Sequence, residues 1–353
     1  MPLDVPVLDA HVHFWDPRTT PRAVTALGRL FFWNDALMRR VGIHLFPRSA
    51  RDFVGKPDHV MRAYLPGMLD SEQAGVDVRG VIHVQAGWHD RRPLAGADES
   101  RWLESLGHPS IRGIVGQATL DSPQLDALLA AHRSATPRLV GVRDMTAHDP
   151  DNGVMPYAKP GRMQTPAFRR GLARLADAGL AFDAWCYGPQ LAALADALEE
   201  APDTRVVLCH LGSPIGVGGP FAGHGRTAGA RASILARWKD DLARIAALPR
   251  VHAKLSGLAM PVLGFGFHTR AAPPSVTELC DAFGPLVEHA LAVFGPSRCF
   301  FASNFPMDKV SASWRDIFEA YAALVTSHDL ATRRGLFHDN AARFYRLPVA
   351  HTA

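Results

Sequence analysis

Short apolar runs rich in β-branched residues recur eight times along the chain, and most neighbours are separated by one amphipathic helical pattern. The first four are VLDAHVHF from Val7, VRGVIHVQAG from Val78, IRGIVGQATL from Ile111 and LVGVRDM from Leu139. The last four are LAFDAWCY from Leu180, TRVVLCHLG from Thr204, VHAKLSGL from Val251 and RCFFASN from Arg298. Between them, SPQLDALLAAHR sets Leu125, Leu128 and Leu129 on one helical face, and TPAFRRGLARLADAGL does the same with Phe168, Leu172 and Leu175. Thr165 before Pro166 reads as an N-cap followed by a first-turn proline, and Gly179 as the stop. Near-continuous apolar strands alternating with such helices predict a parallel sheet covered by helices. Eight repeats predict an α/β fold closed as a (β/α)8 TIM barrel, one domain over residues 1–353. An open doubly wound sheet lacks support, because no G-x-G-x-x-G follows the first run.

Three connections break the rhythm, and all three leave C-terminal strand ends, the face on which barrel enzymes carry their sites. The first, a lid insertion over about residues 15–75, contains FFWNDALMRRVGIHLFPRSARDF. Phe31, Phe32, Trp33 and Phe46 make it too aromatic for a solvated linker, so the stretch between Phe31 and Phe53 is expected to be ordered and to wall a pocket. SPIGVGGPFAGHGRTAGA, after the sixth run, is glycine-rich and expected to be mobile. AMPVLGFGFHTRAAPP follows the seventh.

The candidate chemistry sits where apolar runs turn polar. His11 and His13 close the first run, and strand alternation turns both imidazoles to the same side. That geometry suits chelation of one ion or a double grip on one substrate oxygen. Composition narrows the partners. The net charge of +4 is carried largely by arginine without a Lys/Arg-rich run, which argues against nucleic acid and suits a small anionic substrate. No apolar stretch approaches the roughly 18 residues of a membrane span, and the N-terminus lacks the apolar core of a signal peptide, so a cytoplasmic location is expected. The four cysteines are scattered without zinc-site spacing, and Cys186, Cys209 and Cys299 sit in apolar runs as expected of buried free thiols. No Gly-x-Ser-x-Gly elbow occurs, which counts against serine-hydrolase chemistry.

LDAHVHFWDP, GVRD, CHLGSP, KLSGL and FASNFP, in this order, resemble the amidohydrolase-2 branch of the amidohydrolase superfamily. More narrowly they are similar to its sugar-lactonase and pyrone-dicarboxylate-lactonase group, and the closing DNAARFYRL resembles the family's last helix. The resemblance implies a barrel hydrolase with His11 and His13 at the first strand and His210 at the sixth. It implies that Arg143 holds a substrate carboxylate or lactone carbonyl, and that Lys254 is a basic residue on the seventh strand. Most relatives have aspartate, a general base or metal ligand, where this chain has Asn304. A carboxamide can neither take a proton nor neutralise a cation, although it can donate and accept hydrogen bonds.

The expected activity is therefore opening of a lactone of a small anionic or sugar-derived acid. Arg143 and Lys254 would bind carboxylate, His11 and His13 would polarise the carbonyl, and Asn304 would orient water or the oxyanion. His210 ranks first as general base because an imidazole suits that role near neutrality, followed by Asp308 and then Asp183. For Asp308, pairing with Lys309 or capping a helix is the blander role, and for Asp144 a structural salt bridge. Gln85, His89, Trp185, Tyr187 and His268 are further substrate-contact candidates, each with a packing or solvated-loop alternative. No cofactor is favoured; one zinc or manganese ion on His11, His13 and His210 is the alternative. A metal-dependent decarboxylase and a non-catalytic binding barrel are the rival functions. Assembly as a homo-oligomer is left open.

Overall fold

The computed structural model of the protein describes residues 3–22, 25–31 and 33–347. Eight parallel strands stand in sequence order: β1 (Val7–Val12), β2 (Val78–Val84), β3 (Ile111–Gln117), β4 (Leu139–Met145), β5 (Ala181–Trp185), β6 (Arg205–Cys209), β7 (Val251–Leu255) and β8 (Cys299–Phe301). The sheet closes beyond the end of β8, where Asn304 N donates to His11 O at 2.9 Å and His13 N to Phe305 O at 2.7 Å. This is the (β/α)8 barrel that the pattern predicts. Among the described residues, no helix is long and apolar enough to cross a membrane.

The strands start close to where the apolar runs start but end sooner. The runs overshoot because their last residues, among them His13, Gln85, His210 and Asn304, lie just past the regular strand ends and turn over the barrel mouth. Inside the barrel, Leu8, Ile82, Val115, Val207 and Phe300 form the inner apolar layer. Tyr345 joins them from the N-terminal end, where Arg205 at the start of β6 donates to the Phe344 carbonyl. The outer strand faces pack against helices in one continuous core. The helix over Pro166–Asp177 begins as expected, with the Thr165 hydroxyl accepting from Phe168 N at 3.3 Å. Gly179 follows it at φ +67°.

Among its described residues, the connection from β1 to β2 carries five short α-helices, α1 (Thr25–Leu30), α2 (Asp35–Gly42), α3 (Arg48–Val54), α4 (Pro57–Val60) and α5 (Pro66–Glu72), with a 3-10 turn over Ile43–Leu45. Two details correct the expected lid. Phe31 packs against Met38 and Met61, away from the barrel mouth, and Trp33 is 64% exposed. Phe32 lies outside the described residues. Phe46 and Phe53 supply the aromatic wall instead.

The glycine-rich segment after β6 is tied down rather than loose. Gly216 N donates to Val262 O at 2.9 Å and Gly218 N to Leu263 O at 2.8 Å. A Cβ on Gly264 would come within 2.1 Å of the Gly219 carbonyl, so glycines here permit two backbones to touch.

Candidate functional site

A cavity of about 340 Å³ opens at the C-terminal end of the barrel and is lined by His13, Arg143, His210 and Asn304 together. Each reaches it by a different device. His13 follows β1 and donates Nδ1–H to the Val84 carbonyl at 2.7 Å, which leaves Nε2 as an acceptor. Arg143 stands on β4 and anchors Nη2 on the Gln85 carbonyl at 2.5 Å. His210 follows β6 in a left-handed conformation, φ +56°, the first of several consecutive residues at positive φ. Its Nδ1 lies 2.9 Å from Ser256 Oγ, and a Cβ on Gly257 would sit only 2.5 Å from that nitrogen. The Ser-Gly pair after β7 thus seats the His210 ring and leaves Nε2 for the cavity. Asn304, also left-handed at φ +60°, donates Nδ2–H to Asp308 at 2.8 Å. Its Oδ1 lies 3.3 Å from His13 Nε2, so two acceptors look into one space.

His11 forms the layer beneath, its ring centroid 4.8 Å from that of His13 and 4.5 Å from that of His210. Both of its nitrogens face cations, Nδ1 at 3.3 Å from Lys254 Nζ and Nε2 at 3.4 Å from Arg143 Nη1. Lower still, the Lys254 ammonium contacts Asp183 Oδ2 at 2.7 Å and Tyr345 Oη at 2.8 Å, while the tyrosine hydroxyl donates to the same carboxylate. All three side chains are buried. The site is therefore a column: an ion pair at the bottom, a histidine clamped between two cations, then two histidines, an arginine and an amide around the cavity.

Burial and the neighbouring positive charges, Lys254 for His11 and Arg143 for His13 and His210, hold all three imidazoles well below the usual histidine range. They are neutral bases or acceptors near neutrality. Burial pushes the Asp308 carboxyl up to about 7. Asp308 accepts from Asn304 and from Ala259 N at 3.0 Å. An aspartate in place of Asn304 would set two buried carboxylates against each other, and the amide replaces that repulsion with a hydrogen bond.

Several expected contacts fall elsewhere. Lys254 is out of a ligand's reach because it is wholly buried and its donors serve Asp183 and Tyr345. Asp308 stands behind Asn304, with Lys309 turned to Glu72 instead. Gln85 folds back to accept from Gly87 N at 2.8 Å and meets the site through its carbonyl. Tyr187 lies behind the wall, its hydroxyl donating to Met155 O at 2.8 Å. His268 lines a separate cavity of about 820 Å³ with Arg51 and Phe221. Asp144 is salt-bridged to Arg162. His89 and Trp185 do line the cavity that holds His13, Arg143 and His210.

Arg22 and Tyr157 also line it and were not anticipated. Arg22 lies over the Trp15 ring at 4.5 Å and anchors Nη1 on the Ala86 carbonyl at 2.5 Å. Burial lowers it to about 10. Both residues come from irregular loops, where no periodicity marks an inward side chain. Neither Arg22 nor Arg143 forms an ion pair among the described residues, and Arg143 Nε has no acceptor.

A second group of potential cation ligands, His11, Asp183 and Cys209, lies within 4.8 Å of one another. The Lys254 ammonium already sits on its carboxylate, and burial pushes the Cys209 thiol up to about 12, so it stays protonated.

A family model described as amidohydrolase matches residues 8–347. The chain is 26% identical to the uncharacterised protein y4mH of Sinorhizobium fredii over 98% of this chain and 99% of that one. It is 29% identical to an L-fucono-1,5-lactonase of Burkholderia multivorans, covering 81% of this chain and 87% of that one. Among solved structures it resembles an amidohydrolase from Burkholderia multivorans at 26% identity and a TM-score of 0.70, over 97% of this chain and 99% of that one. That protein was crystallised with bound HEPES and, in another crystal form, with bound zinc.

Proposed function

Because the chain belongs to the amidohydrolase family, we propose that it hydrolyses the ester bond of a small anionic lactone without a resident metal ion. One observation carries the reading: a cavity with no carboxylate among its described lining residues holds an arginine without a counter-ion beside three neutral acceptors. Arg143 supplies charge where a carbonyl becomes an oxyanion. His13 Nε2, Asn304 Oδ1 and His210 Nε2 face the space in which a water would lie. His210 takes a proton as the water oxygen bonds to the acyl carbon; collapse of the oxyanion breaks the ring C–O bond, and His210 returns the proton to the leaving alkoxide. The product is the open hydroxy acid. The likeness to an L-fucono-1,5-lactonase supports the same reaction type.

The donor set argues against a divalent ion in this arrangement. His11, one of three expected ligands, has a cation beside each ring nitrogen, a guanidinium at Nε2 and an ammonium at Nδ1, and its single lone pair as a neutral imidazole faces one of them. Of the carboxylates beneath and behind the cavity, Asp183 is paired with Lys254, and Asp308 is engaged by Asn304. A cation would enter a positive site with no free anionic ligand. Hydrolysis across a panel of lactones, followed with a pH indicator, should survive exhaustive chelation. Loss of activity on chelation with recovery on zinc or manganese would overturn the metal-free reading. Carbon dioxide release from carboxylated substrates, with no lactone opened, would point to the decarboxylase instead.

Asp308 gives the activity a pH signature. Ionised, it accepts from Asn304 Nδ2 and turns Oδ1 to the cavity; protonated, it can donate to Oδ1 and turn the amide over. Its carboxyl, raised to about 7, is neutral below that pH and ionised above it. The imidazoles, held well below their usual range, do not titrate there. The rate should therefore fall as pH drops through about 7. Asp308→Asn can donate to Asn304 Oδ1 and still accept from Ala259 N, which mimics the protonated acid. It should be slow throughout and lack this inflection in kcat/KM against pH. A variant that retains the wild-type inflection would assign it to another group.

A further inference from the structure

The cavity has two unlike halves. Arg143, His13, His210 and Asn304 make a polar floor; the roof, from the lid, is Leu45, Phe46, Ala50, Phe53, Val54 and Val60. Met145, Met155, Met260 and Met307 line the cavity as well. Phe53 on α3, Tyr157 and Trp185 form an edge-on aromatic wall, with Tyr157 centred 5.5 Å from Phe53 and 4.9 Å from Trp185. The indoles present no free donor. Trp185 Nε1 is spent on Ser213 Oγ at 3.1 Å and Trp15 Nε1 on Arg62 O at 2.8 Å.

Polyhydroxylated rings need the opposite surface. Every buried hydroxyl requires a partner, or its desolvation is left uncompensated. No Asp, Glu, Gln, Ser or Thr is among the described lining residues, and Asn304 is the one amide. The remaining polar side chains lie on the floor or, for Arg22, His89 and Tyr157, in the loops around it. Methionine and aromatic side chains suit an apolar group of adaptable shape.

We propose that the substrate is amphipathic: a lactone bearing one carboxylate, its ester and carboxylate on the Arg143 floor, with a hydroxyl-poor alkyl or aryl substituent laid against the roof of α3. This rests on the lactonase reading and specifies its substrate class. The chemistry is ring opening as above, so the substituent changes affinity and leaves the reacting bonds alone.

The test uses the full-length protein and a series of five-membered lactone carboxylates with hydrogen, methyl, propyl, pentyl or phenyl substituents, beside an aldonolactone of the same ring size. In wild type, kcat/KM should rise by about fourfold per methylene buried, as expected for transfer of a CH₂ out of water, until the cavity is full. The aldonolactone should be the poorest substrate. Phe46→Ala, which removes part of the roof, and the near-isosteric Val54→Thr should both flatten the dependence on chain length. A flat dependence in wild type, or an aldonolactone turned over faster than the pentyl compound, would overturn the proposal.

If no lactone is opened, the reaction assignment fails separately. The substrate class is then read from calorimetric binding of cyclopentane carboxylates carrying the same substituents. The same fourfold steps in affinity would uphold the amphipathic pocket, and equal affinities would overturn it.

Discussion

His210→Ala should lower kcat by 10²- to 10⁴-fold, the range for loss of a positioned general base, while KM changes far less. The ring is held in one place by Ser256 and by the absence of a side chain on Gly257, so its Nε2 cannot easily be replaced by another group. Its neighbours leave few substitutes. His11 lies below between two cations, which leaves His13 Nε2 as the other imidazole acceptor beside the attacking water. Burial with Arg143 and Lys254 nearby keeps His210 neutral well below the ordinary histidine range. Wild type should therefore keep His210 deprotonated throughout the neutral region, and the lost rate should not return at higher pH. The check is kcat and KM for wild type and variant between about pH 6 and pH 9 on one lactone. A loss under about threefold would remove His210 as the base and leave the reaction to a water activated elsewhere.

The barrel was legible because its strands are buried on both faces and its helices on one, and each leaves a periodic trace. The site was half legible for the same reason. His11, His13, Arg143, His210 and Asn304 stand at or just beyond strand ends, where the change from apolar to polar is visible. What the pattern could not give was depth. Lys254 and Arg143 are both cations on inner strand faces, yet one sits in the buried layer on Asp183 and the other a layer higher, open to the cavity. Depth follows from register around the closed sheet, where Arg143 pairs with Asp183 on β5 and Cys209 with Lys254 on β7. Loop residues escaped altogether. Arg22 and Tyr157 are inward only because Ala86 and the aromatic wall hold them there. The glycine-rich segment misled in the other direction, since the same composition serves a free linker and two backbones in contact.

The buried ion pair beneath the site has the largest expected effect on folding. Lys254→Met keeps the length of the side chain and removes its charge, which leaves the Asp183 carboxylate in the barrel interior with the Tyr345 hydroxyl and the Cys209 thiol as its donors among the described residues. Breaking one side of such a pair typically costs about 3–5 kcal/mol, because the remaining charge is desolvated without compensation. Asp183→Asn should be costly for the mirror-image reason, stranding the ammonium between His11 and Tyr345. The double variant, with neither charge, should recover much of the loss. Urea unfolding of wild type, both single variants and the double variant measures this as a coupling energy. Strictly additive losses, or a single-variant loss below about 1 kcal/mol, would mean that the two groups are not acting as a pair. The same variants separate folding from function. Lys254→Met also removes one of the two cations that flank His11, so a double variant that folds but opens lactones slowly would show the ion pair acting on the cavity through that histidine.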